Sequence, residues 1–257
     1  MSALAAAGRQ PLSGAPDLEP GSEPRSVGEI ARAAAMAFFD CDGVLLDANR
    51  VKLDAVADVL ADAPAEKREA CLATFAANFG RGRAEHFATF HRILGGAPED
   101  AEDFVRTRTA AYAALLAERY PLSAPAPGAR ALVGMLRAAH RPCAVVTGGV
   151  GAEAARALDA AGFAGAFDAV IGTPTPKAEA MAALLAERGL RPDEAVLFGD
   201  AVADRDAARA LGVPFVFVSG LALVSAETVL SPWPANGPPA YAARSLDPIA
   251  RLAPART

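Results

Sequence analysis

Asp40 and Asp42 stand two residues apart, just after the apolar run Ala35-Met36-Ala37-Phe38-Phe39 and just before Gly43. On an extended backbone their side chains share one side, with Cys41 pointing the other way. Carboxylates that close repel, and a divalent cation relieves the repulsion. Magnesium suits such a pair, because it takes oxygen ligands and keeps water and phosphate oxygens in its shell. One carboxylate can then attack phosphorus as a nucleophile. The other can protonate the leaving oxygen and later deprotonate water. Gly43 permits a tight turn and a close backbone approach. Further along, Thr147, Lys177, Asp200 and Asp204 add a hydroxyl, an amine and two more carboxylates.

Residues so far apart in sequence need a scaffold that brings them together. The run at 35–39 reads as a buried parallel strand with charges at its C-terminal end. From Pro125 the chain alternates between strand and helix patterns. Helices are expected near 128–139, 152–161, 177–188 and 204–211, and strands near 143–147, 169–171, 195–198 and 214–218. Such alternation implies a parallel sheet with helices on both faces. In open parallel sheets ligands bind outside the carboxyl ends of the strands. Asp40, Asp42, Thr147 and Asp200 all follow strands directly, and Lys177 opens a helix just after another. One crevice would therefore receive all of them.

Between Arg50 and Tyr120 the pattern is helical throughout, with breaks at Pro64, Gly80 to Gly82 and Gly95-Gly96-Ala97-Pro98. About four helices in a separate insert follow from this. Order is expected to begin near Ala35. Residues 1–28, broken by Pro11, Gly14, Pro16, Pro20, Gly21 and Pro24, read as a disordered leader. Residues 240–252 are expected to add an edge strand and a helix.

Composition narrows the function classes. The formal net charge is −5 and no Lys/Arg run appears, so nothing argues for nucleic acid or an anionic membrane as partner. The acidic balance counts against an anionic substrate unless a metal offsets it. The three cysteines, Cys41, Cys71 and Cys143, have neither disulfide-framework nor zinc spacing, and fit a reducing cytoplasm. No signal peptide or membrane span is read in the chain.

The motifs carry a family resemblance. Phe38-Phe39-Asp40-Cys41-Asp42-Gly43-Val44-Leu45 resembles the first motif of the haloacid-dehalogenase superfamily, in its phosphoglycolate phosphatase and beta-phosphoglucomutase branch. Val145-Val146-Thr147-Gly148 resembles its second, Lys177 its third, and Phe198-Gly199-Asp200-Ala201-Val202-Ala203-Asp204 its fourth. The resemblance covers roughly residues 36 to 220. It implies an α/β fold, a Rossmann-like parallel-sheet core (residues 29–49 and 124–257) with an inserted all-helical cap (50–123). It further implies a Mg2+-dependent phosphatase acting on a small sugar phosphate or phosphorylated carboxylic acid.

In that scheme Asp40 is the nucleophile and a metal ligand. Asp42 is the general acid/base, with its backbone carbonyl on the metal. Thr147 and the Gly148 amide hold the phosphoryl group, Lys177 neutralises charge, and Asp200 completes the metal shell. Asp204 holds a metal-bound water or orients neighbours; it also reads as a helix cap. The cap loop Gly80-Arg81-Gly82-Arg83 would supply an arginine, Arg83 first and Arg81 second, that grips a distal anionic group. Lys52, at the start of the first cap helix, would face the substrate. A solvated helix face fits Arg83, Arg81 and Lys52 as well. His86 and His91, beside Phe87 and Phe90, read as packing or surface residues.

Two features depart from the family pattern. Pro174 and Pro176 precede Lys177, where many relatives place prolines after the lysine, and Ala201 stands where many relatives carry a serine. Asp42 itself points to phosphate esters, since dehalogenases and phosphonate-cleaving members lack an acid there. A phosphomutase on the same core, or a catalytically silent binding protein, are the competing readings. The chain is expected to act as a monomer or homodimer.

Overall fold

A computed structural model describes residues 26–231 and 233–255. The sequence pattern explains its centre. In β1 (Met36–Phe39) every residue is buried. Met36 and Phe38 belong to one apolar cluster, and Ala37 and Phe39 to another. Successive strand residues face opposite sides, so a fully apolar strand feeds two cores at once. The same split runs through β2 (Cys143–Val150), where Ala144 and Val146 join one cluster and Cys143 and Val145 the other. It recurs in β4 (Ala195–Gly199) and β5 (Phe215–Val218).

With β3 (Ala169–Thr173), β6 (Ala240–Ala243) and β7 (Ala253–Pro254) these strands form a seven-stranded sheet in the order β3-β2-β1-β4-β5-β6-β7. All neighbours pair in parallel except β6 and β7. The chain steps outward from β1 to β2 to β3, then crosses back to β4 and steps outward the other way. Strand order therefore reverses between β1 and β4, which opens a crevice at their carboxyl ends.

The helices on the sheet are α1 (Val27–Ala33), α6 (Ala129–Ala138), α7 (Gly151–Leu158), α8 (Lys177–Arg188), α9 (Val202–Leu211) and α10 (Ala226–Leu230). Between β1 and α6 lie α2 (Asn49–Val59), α3 (Ala65–Ala77), α4 (Arg83–Leu94) and α5 (Ala101–Arg119). Their breaks fall where Pro and Gly predict: Pro64 directly precedes α3, Gly80 to Gly82 separate α3 from α4, and Gly95 caps α4 at φ +80°. No helix among the described residues is long and apolar enough to cross a membrane.

Expectations change at both ends of the chain. Helix α1 begins at Val27, inside the expected leader and ahead of the expected start of order. Its signal is Ser26-x-x-Glu29, a reciprocal cap in which Ser26 Oγ accepts from Glu29 N–H and Glu29 accepts from Ser26 N–H. The rest of the expected leader lies outside the described residues. After β6 the expected helix is absent among the described residues, and β7 pairs antiparallel there instead. Trp233 finds a place that its proline-rich surroundings hid: it stacks on Phe215 at 6.1 Å and donates to Pro238 C=O at 2.8 Å.

Candidate active site

The first shared feature of the site is backbone register. Asp40 N–H donates to Phe198 C=O at 2.8 Å, so the β1–β4 pairing runs one residue past β1. That pairing sets Asp40 beside the β4 end, where Asp200 follows Gly199. At the same edge α8 opens with Lys177 and α9 carries Asp204 in its first turn. Asp40, Asp200, Asp204 and Lys177 are all buried. Carboxylate oxygens of Asp40, Asp200 and Asp204 lie within 4.8 Å of one another.

Lys177 Nζ donates to Asp40 Oδ1 at 2.8 Å and to Asp204 Oδ1 at 2.5 Å. Asp204 Oδ2 accepts from the backbone N–H groups of Asp200 (3.2 Å) and Ala201 (3.0 Å), closing the first turn of its own helix. Both Asp204 oxygens are thus engaged. Asp40 Oδ2 has no hydrogen bond to a described residue, and Asp200 Oδ1 is buried with no partner among them.

Three carboxylates face one ammonium here, which leaves two excess negative charges when all are ionised. Burial pushes the Asp40 carboxyl up to about 7; the charges on Asp204 and Asp42 add to this, and Lys177 opposes it. Asp200 is raised well above the carboxylate range by burial, then by Asp40 and Asp204. Burial alone would lower Lys177, but Asp204 and Asp40 outweigh it and raise the amine above its ordinary value. Buried excess charge of this kind calls for a counter-ion. An all-oxygen set with a bare Asp200 oxygen fits a hard divalent cation.

Asp42 does something else. Its carboxylate lies outside the three-carboxylate group and pairs with Lys52 Nζ, and the other oxygen is buried without a partner. Lys52 is itself buried, with its ammonium over the Tyr120 ring at 4.7 Å. Thr147 Oγ1 accepts from Gly149 N–H at 3.0 Å.

Asp40, Asp42, Lys52, Thr147 and Gly148 share one cavity with Arg81 and Arg83, and it holds about 480 Å³ of space free of atoms, mouth included. Its other wall comes from the helical segment: Phe75, Phe79, Gly80, His86, Phe87 and Tyr112. A methyl group at Gly148 would collide with the Gly80 carbonyl, so the α3–α4 loop sits directly on the C-terminal half of β2.

Neither arginine is a free cation. Arg83 makes a two-pronged bond to Glu153 on α7, Nη1 to Oε1 at 3.2 Å and Nη2 to Oε2 at 2.5 Å. Arg81 pairs with Glu85 at 2.5 Å near the surface.

Sequence reasoning missed Asn49. Its Nδ2 donates to Asp200 Oδ2 at 2.6 Å and to Leu221 C=O at 2.8 Å, tying α2 to the β4 end. Gly43, at φ +76°, leaves the room for this: a Cβ there would strike both Asp200 Oδ2 and Asn49 Nδ2. The only signal in the sequence was a polar residue at the head of a helical pattern. His86 and Tyr112 were likewise not read as cavity residues, since a buried aromatic on a helix usually means packing alone.

The sequence from 35 to 212 matches the family model of haloacid dehalogenase-like hydrolases. This chain belongs to that family. Its fold is shared by solved structures of low identity. A haloacid dehalogenase-like hydrolase from Bacteroides fragilis superposes with a TM-score of 0.67 at 17% identity, over 83% of this chain and 98% of that one. A predicted phosphoglycolate phosphatase from Haemophilus somnus gives 0.58 at 20%, over 73% and 86%. CbbY from Rhodobacter sphaeroides, in complex with xylulose-(1,5)bisphosphate, gives 0.55 at 22%, over 73% and 87%. No curated protein sequence matches the chain.

Proposed function

We propose that this haloacid dehalogenase-like hydrolase is a magnesium-dependent phosphatase that hydrolyses a small phosphorylated metabolite through a phosphoaspartate on Asp40. The observation that carries the reading is the state of Asp40: one oxygen is held by Lys177 and the other is free, beside the cavity that Asp42 and Thr147 also line. A carboxylate held by one oxygen is oriented for attack by the other.

Asp40 Oδ2 attacks phosphorus and the ester oxygen leaves. Asp42, the acid/base, delivers a proton to that oxygen. The resulting Asp42 carboxylate then takes a proton from the water that attacks the phosphoaspartate, which frees phosphate and restores Asp40. Thr147 and the Gly148 amide hold phosphoryl oxygens. Lys177 offsets charge as the phosphoryl group nears Asp40. Asp40, Asp200 and the Asp42 carbonyl would hold the ion, which when bound supplies positive charge against the buried carboxylates. Asp204, with both oxygens engaged, positions Lys177 and the Asp200 backbone.

The acid at position 42 supports phosphate esters over carbon–halogen bonds, because a leaving alkoxide needs a proton and a halide does not. Residues 50–123 act as a cap, which limits the substrate to a small one and excludes water. Phosphorylated ligands of a fold relative support the same class.

The test is phosphate release from a panel of phosphorylated metabolites with magnesium, with and without chelator, for the wild type and Asp40→Asn. Wild-type turnover that chelator removes and Asp40→Asn lacks is the expected result. Turnover near wild type in a folded Asp40→Asn variant contradicts the assigned nucleophile. Phosphate formed in proportion to substrate lost counts against a mutase.

A further inference from the structure

The wall that the helical segment gives to the cavity has more ring surface than charge. Phe75 meets Phe79 edge-on at 5.4 Å and His86 at a tilt of 56°, 4.6 Å between centroids; Phe87 meets Tyr112 edge-on at 5.8 Å. Every cation beside these rings already has a carboxylate. Lys52 is on Asp42, Arg83 on Glu153 and Arg81 on Glu85. The Arg83 pair is mostly buried, with side chains 15% and 19% exposed, so it is poorly screened and costly to break. An anionic group arriving there meets a neutral pair rather than a positive charge.

Two polar tips remain. His86 is 5% exposed and Tyr112 is 4% exposed, and neither has a hydrogen-bond partner among the described residues. Burial pulls the His86 imidazole down to about 4, so it is neutral at pH 7 and offers one donor and one acceptor. Aromatic walls with two neutral hydrogen-bonding tips suit a flat ring. A sugar would leave several hydroxyl groups against hydrocarbon, at a cost for each.

Resting on the phosphatase reading of this same site, we propose that the substrate's phosphate is esterified to a small alcohol bearing a flat, uncharged aromatic ring, with no second anionic group. His86 and Tyr112 take the ring's polar atoms, and Glu153 sets the preference by cancelling Arg83.

Calorimetric titration of the magnesium-loaded wild type with benzylphosphonate, pyridin-3-ylmethylphosphonate and phosphonoacetate tests this without turnover. Both ring compounds should bind at least about tenfold tighter than phosphonoacetate. Phosphonoacetate binding as tightly as the rings, or no binding by any of the three, overturns the proposal. Glu153→Gln should tighten phosphonoacetate by roughly fivefold and leave benzylphosphonate unchanged; no gain for phosphonoacetate removes the role given to Glu153 and overturns that part. Phosphate release from benzyl phosphate is measured alongside. If the binding order holds and no ester is cleaved, the phosphatase reading fails while the ligand inference stands.

Discussion

The two walls of the cavity are built in different ways. The strand-end wall consists of charges buried against each other, at positions set by the β1–β4 register and the first turns of α8 and α9. The helical wall consists of rings whose positions depend on side-chain packing among α3, α4 and α5. Backbone hydrogen bonds place a group to a fraction of an ångström, as reaction at phosphorus demands. Packed rings form a surface that a few substitutions can reshape. One wall thus suits chemistry that does not vary, and the other suits selection of a ligand.

If that contrast holds, substitutions in the first wall should strike rate or the packing of the buried charges, and those in the second should leave rate alone and strike ligand preference or stability. After the loss of turnover expected for Asp40→Asn, the largest effect is expected for Asp42→Asn, which keeps the shape and removes the acid/base. Phosphate release should fall by on the order of 10³-fold with helical content unchanged by circular dichroism. A loss of only a few-fold would mean that the pair with Lys52 is structural.

Gly43→Ala should come next. A side chain at φ +76° is strained and would strike Asp200 and Asn49, costing about 3 kcal/mol and lowering Tm by roughly 10 °C in a thermal melt. An unchanged Tm would show that the Asn49–Asp200 contact gives way without cost.

In the helical wall, acid should act through His86. Its pKa is about 4 folded against 6.5 for an ordinary histidine, burial being the main cause and the Glu85 charge opposing it. Between pH 6.5 and 4 the unfolded chain therefore binds the extra proton, and stability falls as pH falls through that window. The His86 share is about 3 kcal/mol in total. Urea unfolding of the wild type and His86→Phe across this range isolates it, because Asp40, raised to about 7, pulls the other way in both proteins. Parallel stability curves for the two would remove the effect. The smallest effect is expected for Arg81→Ala, whose exposed pair with Glu85 contributes less than about 0.5 kcal/mol. A large rise in KM for that variant would blur the contrast, since it would make the helical wall a source of charge.

The strand-end wall could be anticipated residue by residue, and the helical wall could not. Asp40, Asp42 and Asp200 follow strands, Lys177 and Asp204 lie in the first turns of helices, and Thr147, expected just after a strand, lies inside the longer β2; strand-end placement in a parallel sheet is a local property of the chain. The structure brings them to one crevice. Their division of labour was not visible. That Asp204 spends both oxygens on Lys177 and two backbone amides, while Asp200 keeps one bare, depends on the first turn of α9. Asn49 and Glu153 escaped notice because their partners lie 151 and 70 residues away.

The order of motifs and the alternation of strands and helices were sufficient, alone, to establish the α/β architecture, the family and the acidic crevice, because period and strand-end position are written into neighbouring residues. The fate of each cation was decided only in three dimensions. A lysine or arginine in a sequence is a charge in search of a partner, and which carboxylate cancels it depends on how α2, α4 and α7 approach. That approach turns Arg83, expected to be a free grip for an anion, into half of a neutral pair.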